Sequence, residues 1–246
     1  MERKAIRNMA DDDNKTLNYK MKLLLDIGQT LMESGADCAR VIRDMKRAAV
    51  HLRIPAENIQ SHVTYTTLML NVCDGERSFT QFRKCMKHGV NLAVLAAVSK
   101  LTWRILRGNT PISAVEHAIT RIRARALCYP HWGIALGAAV GSGGSCKLFG
   151  GSWEESLIAT IAALMGFIAH RLSNKYAFNP YACAMITGFV ATIFAWAIPA
   201  ALGLGTMWYA LVACTIFLMP GFPSVNAASD VLNRFTTSGM TRAMDT

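Results

Sequence analysis

The second half of the chain contains four long runs of apolar residues, separated by short polar connections. Each run approaches the roughly 17–25 residues that a membrane-spanning helix needs, the last one only if it continues past a pair of prolines. None of them carries the polar face that an amphipathic helix of a water-soluble core would show. The pattern therefore predicts a transmembrane domain over residues 129–246. Its four spans are expected at 132–149, 156–172, 180–199 and 206–234, the last with a break at 220–223.

The first half has the mixed periodicity of a small α/β domain, which we place at residues 16–128. Apolar residues recur at intervals of three and four over residues 17–32, which predicts a helix. A second helix, capped by Asp37, is expected to run to about His51. Residues 1–15, which precede this pattern, are expected to form a mobile arm.

The remainder of this domain predicts two strands and two further helices. A β-rich stretch reaches a turn at Asp74-Gly75 and is followed by a second strand, which is typical of a hairpin. The final helix is expected to have Thr110 as its N-cap and Pro111 in its first turn. The resulting element order is ααββαα.

Charge separates the same two regions. Before Pro130 there are 21 Lys and Arg against 12 Asp and Glu, a net charge of +9. The remainder has five basic and four acidic residues, a net charge of +1. The basic residues of the first part are scattered singly, without an aromatic-rich basic motif. This pattern argues against nucleic-acid binding.

Basic residues also fall in alternate connections of the predicted membrane domain. They precede the first span, separate the second from the third and follow the fourth, at Arg121, Arg123, Arg125, Arg171, Lys175, Arg234 and Arg242. The other connections, GGSWEES and PAALGLG, hold no Lys or Arg. By the positive-inside rule the basic side is cytoplasmic. Because no apolar segment of a signal peptide follows the charged N-terminus, the expected fold is an α-helical integral membrane protein with a small N-terminal cytoplasmic α/β domain.

Candidate catalytic residues in the N-terminal domain do not form a pattern. Ser61 and His62 are neighbours in a predicted strand, where they point to opposite faces and cannot act on each other. Cys73 and Asp74 lie near the hairpin turn, but there is no GxSxG elbow and no metal-ligand spacing. None of the seven cysteines forms a CxxC pair, so we expect no disulfide, zinc site or other cofactor. The domain is interpreted as a docking or gating module.

The first span contains a glycine-rich run and a lysine. Gly133, Gly137 and Gly141 stand four residues apart, which favours close packing against another helix. The run does not match a phosphate-binding loop, because Leu148 follows Lys147 where Ser or Thr is required. Lys147 has two interpretations: it lines a polar path through the membrane, or it reaches the headgroups from the end of its helix.

The last span is interrupted by the sequence PGFP. Pro220 and Pro223 each remove a backbone donor and Gly221 offers no side chain, so the helix is expected to break there. Discontinuous helices whose free ends face a substrate recur in secondary transporters, although a proline kink without a site is the alternative. Asn226 and Asp230 favour a site, because residues four apart share one face of a helix.

Three segments together resemble the threonine/serine exporter family. They are LMPGFPSVNAASDVLNRFTTSGMTRA, ESGADCARV near the N-terminus, and LCYPHWGIALG with CKLFGGSWEES at the first span. The similarity extends from about residue 20 to the end of the chain and is closest to the split type, in which a large subunit pairs with a small membrane subunit. Relatives carry a fifth span after the SG…R segment, which is expected but absent before Thr246.

The resemblance implies an inner-membrane exporter of small carboxylates, either hydroxy amino acids or dicarboxylates such as succinate, coupled to an ion gradient. It also implies a complex with a small membrane subunit, with several copies of each. We place the transport site at the break, where the amides that begin the second half-helix suit a carboxylate. Asn226 is assigned to the substrate, Asp230 to a coupling proton or a substrate ammonium, and Lys147 to a second carboxylate contact. The alternative function is a non-transporting scaffold or a membrane-anchored enzyme.

Overall fold

The computed structural model describes residues 2–74, 77–108, 111–124, 129–176 and 179–245, with side chains from residue 16 onward except at 56, 74 and 77. The chain divides into two compact units. One unit comprises Met1–Cys128 and Gly221–Thr246, and the other comprises Tyr129–Pro220. The sequence predicted one membrane domain over 129–246. The structure instead assigns the residues after Pro220 to the same unit as the N-terminal region, because they pack on it through the contacts described below.

The described N-terminal part of the first unit consists of helices packed on one face of a small sheet. Its helices are α1 (Glu2–Glu33), α2 (Cys38–His51), α3 (Leu92–Arg107) and α4 (Ile112–Arg123), and its strands are β1 (Ile59–Val63), β2 (Thr67–Asp74) and β3 (Arg77–Lys84). The apolar faces of these elements form one buried core, which includes Met21, Leu24, Ile27, Leu68 and Leu70. The alternation of buried and exposed residues on β2 fits a sheet with one covered face.

The sheet has three antiparallel strands in the order β1-β2-β3, so the predicted hairpin was incomplete and the element order is ααβββαα. Val63 pairs with Leu68 across the first turn, and Asp74 pairs with Arg77 across the second. The run predicted as one strand is interrupted at residues 64–66. There the Thr64 hydroxyl donates to the Thr67 carbonyl at 3.0 Å and accepts from the Thr67 amide at 3.0 Å.

Helix starts differ in part from the sequence predictions. Asp37 caps α2 by accepting a hydrogen bond from the Arg40 amide, which confirms that cap. Thr110 lies outside the described residues, and Pro111 takes the N-cap position of α4 without a side-chain hydrogen bond. Helix α1 begins at Glu2, so the backbone of the expected mobile arm is helical. The Ala, Met, Lys and Arg residues of that stretch are good helix formers.

The second unit is a group of apolar helices joined by short connections. It contains α5 (His131–Leu148), α6 (Trp153–Lys175), α7 (Pro180–Ala201) and the short α8 (Trp208–Ala213). Small residues such as Ala162 and Ala191 are buried between the helices, whereas Met185, Phe189 and Trp196 are exposed. A large exposed apolar surface is unfavourable in water and suits a lipid environment.

Two described helices, α6 and α7, are long and apolar enough to cross a membrane, and a third span is possible if the helices on either side of the break count as one. Four spans were expected from the sequence. Helix α5 has the required length, but its glycines and serines, with His131 and Lys147 near its ends, make it less apolar. Its insertion as a span stays a prediction.

The break in the last predicted span lies earlier than expected. A 3₁₀ turn at Ile216–Leu218 follows α8, and α9 (Gly221–Leu232) begins after Pro220. Pro223 lies in the first turn of α9, where the missing amide of a proline breaks no helical hydrogen bond. The α-helix is therefore interrupted over residues 214–220, which include the 3₁₀ turn, and Gly221 and Pro223 belong to the helix that follows.

Candidate functional site

The turn between α1 and α2 contains the GAD part of the ESGADCARV segment. Gly35 has φ of +93°, a conformation that favours glycine. A Cβ on Gly35 would also lie 2.9 Å from the Gly89 carbonyl oxygen, which is backbone and cannot move aside easily. The Asn91 amide donates to the Ser34 carbonyl at 3.0 Å and ties the same turn to the start of α3. These contacts restrict the backbone of the turn and position its carbonyls and the first amides of α2.

Helix α9 contacts this turn through the two polar residues that the sequence analysis selected. The Asn226 amide group donates to the Gly35 carbonyl at 2.6 Å. The Cys38 amide donates to the Asp230 carboxylate at 2.7 Å. The first amides of a helix have no partner within the helix, so the amide of Cys38 is available for this bond. Side chains on one face of α9 thus form hydrogen bonds with a carbonyl of the GAD turn and with the amide of the residue that follows it.

Arg242 completes the arrangement from α10 (Thr236–Met244). Its Nε donates to Asp230 Oδ2 at 3.2 Å, and its Nη2 donates to the Ala36 carbonyl at 2.9 Å. Asp230 is 0% exposed and Arg242 is 3% exposed, so the ion pair is shielded from water. The guanidinium carbon of Arg242 also lies 5.0 Å from the ring centre of Tyr65. We call Gly35, Ala36, Cys38, Asn226, Asp230 and Arg242 the clasp.

The chain returns from α9 to α10 by a tight turn that brings Arg242 back beside Asp230. Arg234 adopts φ of +67°, and the Phe235 amide donates to the Asp230 carbonyl at 2.8 Å, which ends α9. The two helices then pack closely at Gly239, where a Cβ would lie 2.7 Å from the Ala227 carbonyl oxygen. Only glycine permits this approach of the two backbones.

Further polar contacts surround the clasp within the first unit. The Cys38 thiol lies 3.0 Å from the Ser238 hydroxyl, and burial raises the pKa of that thiol to about 12. It therefore stays protonated near neutral pH and is a structural rather than a reactive cysteine. The Tyr65 hydroxyl donates to Asp245 at 2.9 Å, and its ring stacks on His88 with 3.9 Å between ring centres.

Arg242 was not predicted as a site residue, because in the sequence it appears only as part of a basic connection. A signal was present, since an acidic residue in an apolar region usually requires a charged partner. Gly35, Ala36 and Cys38 were recognised as parts of a motif but were given no function. Their partners are about 190 residues away in sequence, which periodicity cannot detect.

Lys147, the other predicted path residue, belongs to the second unit and makes local contacts. Its Nζ donates to the Gly151 carbonyl at 2.9 Å and lies 4.6 Å from the ring centre of Trp153. Both partners are in or next to the connection between α5 and α6. These contacts match the interpretation of a lysine that reaches the end of its helix. Its contact with a substrate carboxylate stays a prediction.

The predicted glycine face of α5 is open in the isolated chain. A Cβ at Gly137 or Gly141 would meet no atom within 4 Å, and one at Gly133 would meet only Pro130. The close contact with α6 is made instead by Gly143, where a Cβ would lie 2.9 Å from the Ser156 carbonyl oxygen. The buried face of α5 is thus a different one from the predicted face, whose use against another helix stays a prediction.

The described residues hold no group of three or more His, Cys, Asp or Glu side chains suited to a metal ion. Ser61 and His62 pair with Leu70 and Met69, respectively, in adjacent positions of β1, and so point to opposite faces of the sheet. The clasp is therefore the most organised polar cluster that the sequence candidates form. It holds a buried carboxylate, a buried guanidinium and a buried amide against main-chain groups of another segment.

Comparison with known proteins identifies a family. The family model described as "Putative threonine/serine exporter" matches residues 22–246, which include every residue of the clasp. No solved structure matches the chain.

Individual relatives are distant and carry transporter names. The chain is 24% identical over 222 residues to the "Probable succinate transporter subunit YjjP" of Escherichia coli, covering 90% of this chain and 85% of the relative. It is 22% identical over 228 residues to the "Probable threonine/serine exporter" of Mycobacterium tuberculosis, covering 92% of this chain and 42% of the relative. The "Threonine/serine exporter" of Corynebacterium glutamicum is 22% identical over 182 residues, which cover 74% of this chain and 37% of that protein.

Proposed function

Because the chain belongs to the threonine/serine exporter family, we propose that it is a subunit of a secondary transporter that exports small carboxylates across a bacterial inner membrane. The substrate is a hydroxy amino acid such as threonine or serine, or a dicarboxylate such as succinate, as the names of its relatives suggest. The clasp is the observation that supports this function most directly. It joins the two most distinctive segments of the sequence through a buried ion pair.

The clasp suggests how proton uptake could be coupled to the movement of an anion. When Asp230 is ionised, it neutralises Arg242 and leaves no positive charge for a substrate. When Asp230 takes up a proton, its ion pair with Arg242 is lost, and a substrate carboxylate can take the place of the Asp230 oxygens, since arginine binds carboxylates with matched geometry. Asn226, one helical turn away, can then hydrogen-bond the substrate. In this scheme Asp230 carries the coupling proton and Arg242 carries the substrate, so the two cross the membrane in the same direction.

We further propose that the chain works with a small membrane subunit, in several copies of each. The E. coli relative is named as a subunit, and the open Gly133, Gly137 and Gly141 face of α5 suits close packing with another helix. Transport then requires both chains, and this chain alone is expected to be inactive.

The test of the function is metabolite export. Cells that lack this chain and its partner are compared with cells that express both, and threonine, serine and succinate are measured inside the cells and in the medium. We expect at least one of these carboxylates to accumulate inside the deficient cells and to return to the medium only when both chains are present. Unchanged distribution of all three would contradict the proposal, and export by this chain alone would contradict the requirement for a partner.

The distribution of basic connections predicts that the N-terminal region lies in the cytoplasm. A reporter enzyme that is active only outside the cytoplasm should be active when it is inserted at Gly151, between α5 and α6. The same reporter inserted after Lys175, beside Arg171, should be inactive. The reverse pattern would show that the orientation is wrong, and activity at both positions would show that α6 does not cross the membrane.

A further inference from the structure

Helices α2 and α3 carry an unusual excess of positive charge. Together they contain seven Lys and Arg residues and one acidic residue, Asp44. Asp44 is buried beneath the surface, where it forms an ion pair with Arg47 at 2.8 Å. The charge that reaches solvent from these two helices is therefore positive throughout.

Hydrogen bonds between α2 and α3 hold two of these basic side chains in position. Arg40 Nη2 donates to the Ser99 hydroxyl at 3.1 Å, and the Ser99 hydroxyl donates to Asp44 Oδ2 at 3.2 Å. Arg47 is held on the other Asp44 oxygen. Arg40 and Arg47 are thus anchored at their inner atoms and present the rest of their guanidinium groups at the surface, where long basic side chains are usually mobile.

A tryptophan stands in the middle of this positive region. Trp103 is 44% exposed, and the guanidinium carbons of Arg47 and Arg107 lie 4.1 and 5.6 Å from its ring centre. Lys100 and Arg104 are exposed on the same outward face of α3, opposite the buried residues of that helix. We call Arg40, Arg47, Lys100, Trp103, Arg104 and Arg107 the basic surface.

We infer that the basic surface binds the anionic headgroups of the membrane in which the apolar helices of the same chain are inserted. Lys and Arg near an anionic bilayer each contribute attraction that falls off within a Debye length. Tryptophan is enriched at the boundary between headgroups and acyl chains, because its ring is apolar and its N–H is polar. An exposed tryptophan that has two arginines against its ring and two further cations on the same face fits that boundary better than it fits water. The occupant is thus an anionic lipid surface, here represented by phosphatidylglycerol.

The inference can be tested on the full chain in lipid nanodiscs. The fluorescence of Trp103 is obtained by subtracting the fluorescence of Trp103→Phe from that of the wild type. Both are measured in discs whose lipids carry brominated acyl chains, which quench tryptophan on contact. We expect this difference signal to be quenched in phosphatidylglycerol discs and not in phosphatidylcholine discs. Lys100→Gln/Arg104→Gln should shift the equilibrium away from the lipid by about 30-fold, since each basic residue contributes about a factor of five.

The control variant is Lys22→Gln/Lys87→Gln, which removes two exposed charges elsewhere in the same unit and should leave the quenching unchanged. Raising the salt concentration for the wild type should reproduce the effect of Lys100→Gln/Arg104→Gln, because screening weakens the attraction. Equal quenching in both kinds of disc, or equal effects of the two double variants, would overturn the inference. Tight, salt-sensitive binding of a short nucleic-acid duplex without lipid quenching would also overturn it, and would identify a different partner.

Discussion

Replacing Arg242 with Gln is expected to destabilise the protein by about 3–5 kcal/mol, because the variant leaves the Asp230 carboxylate buried without a cation. Asp230→Asn should have a similar effect, since it leaves the guanidinium of Arg242 without its carboxylate. Both side chains are almost completely shielded from water, so hydration cannot replace the lost partner. For a chain of this length, such a loss corresponds to a drop of roughly 6–20 °C in the unfolding midpoint.

The purified full chain is heated in detergent to a series of temperatures. Unfolding is measured as the decrease in the fraction of protein that remains monodisperse. The double variant Asp230→Asn/Arg242→Gln removes both charges, so it should be more stable than either single variant. Glu57→Gln is the control, because it removes a carboxylate from an exposed position just before β1, away from the clasp. If the two single losses simply added in the double variant, or if Glu57→Gln matched Asp230→Asn, the buried pair would not have the role assigned to it.

The sequence predicted most of the elements and missed the turn that divides β1 from β2. The helices of the N-terminal region follow the 3.6-residue period, and the Asp37 cap was recognisable from its position before an apolar run. The turn at residues 64–66 contains no Gly, Pro, Asn or Asp. It depends on hydrogen bonds between the Thr64 side chain and the backbone of Thr67. Threonine is also common in strands, so a threonine in a β-rich run does not indicate a turn.

The location of the PGFP segment shows the limit of local patterns more clearly. An uncharged run leads into it, so α9 was predicted to continue a membrane span. The structure instead packs α9 and α10 with the N-terminal region. The prediction that Asn226 and Asp230 share one face of a helix is confirmed, since both bond to the segment that joins α1 to α2, whereas their part in transport stays a prediction. Their partners depend on a long-range contact between main-chain groups of the GAD turn and α9, and no spacing rule contains that information.

Asp230 and Arg242 have different roles in the proposed mechanism, so variants of the two residues should differ in their transport activities. Asn resembles a protonated aspartate in shape and charge, so Asp230→Asn fixes the clasp in the state that we propose binds substrate. This variant cannot take up or release a proton, and it should lose export driven by a pH gradient. It should retain exchange of labelled for unlabelled carboxylate across the membrane, because exchange needs no net proton movement. Arg242→Gln removes the proposed cation and should lose both activities.

The assay uses vesicles that contain this chain and its partner at equal amounts for every variant, with export measured with and without a pH gradient and exchange measured at equal pH on both sides. Asn226→Ala should weaken substrate binding in both assays, since it removes a hydrogen bond worth about a factor of ten. The control Glu57→Gln should behave as the wild type. The double variant Asp230→Asn/Arg242→Gln separates transport from folding, because it should recover stability without recovering either activity. Gradient-driven export by Asp230→Asn would show that the coupling proton is carried elsewhere. Exchange by Arg242→Gln would show that the carboxylate binds at another cation and that the clasp is a structural joint.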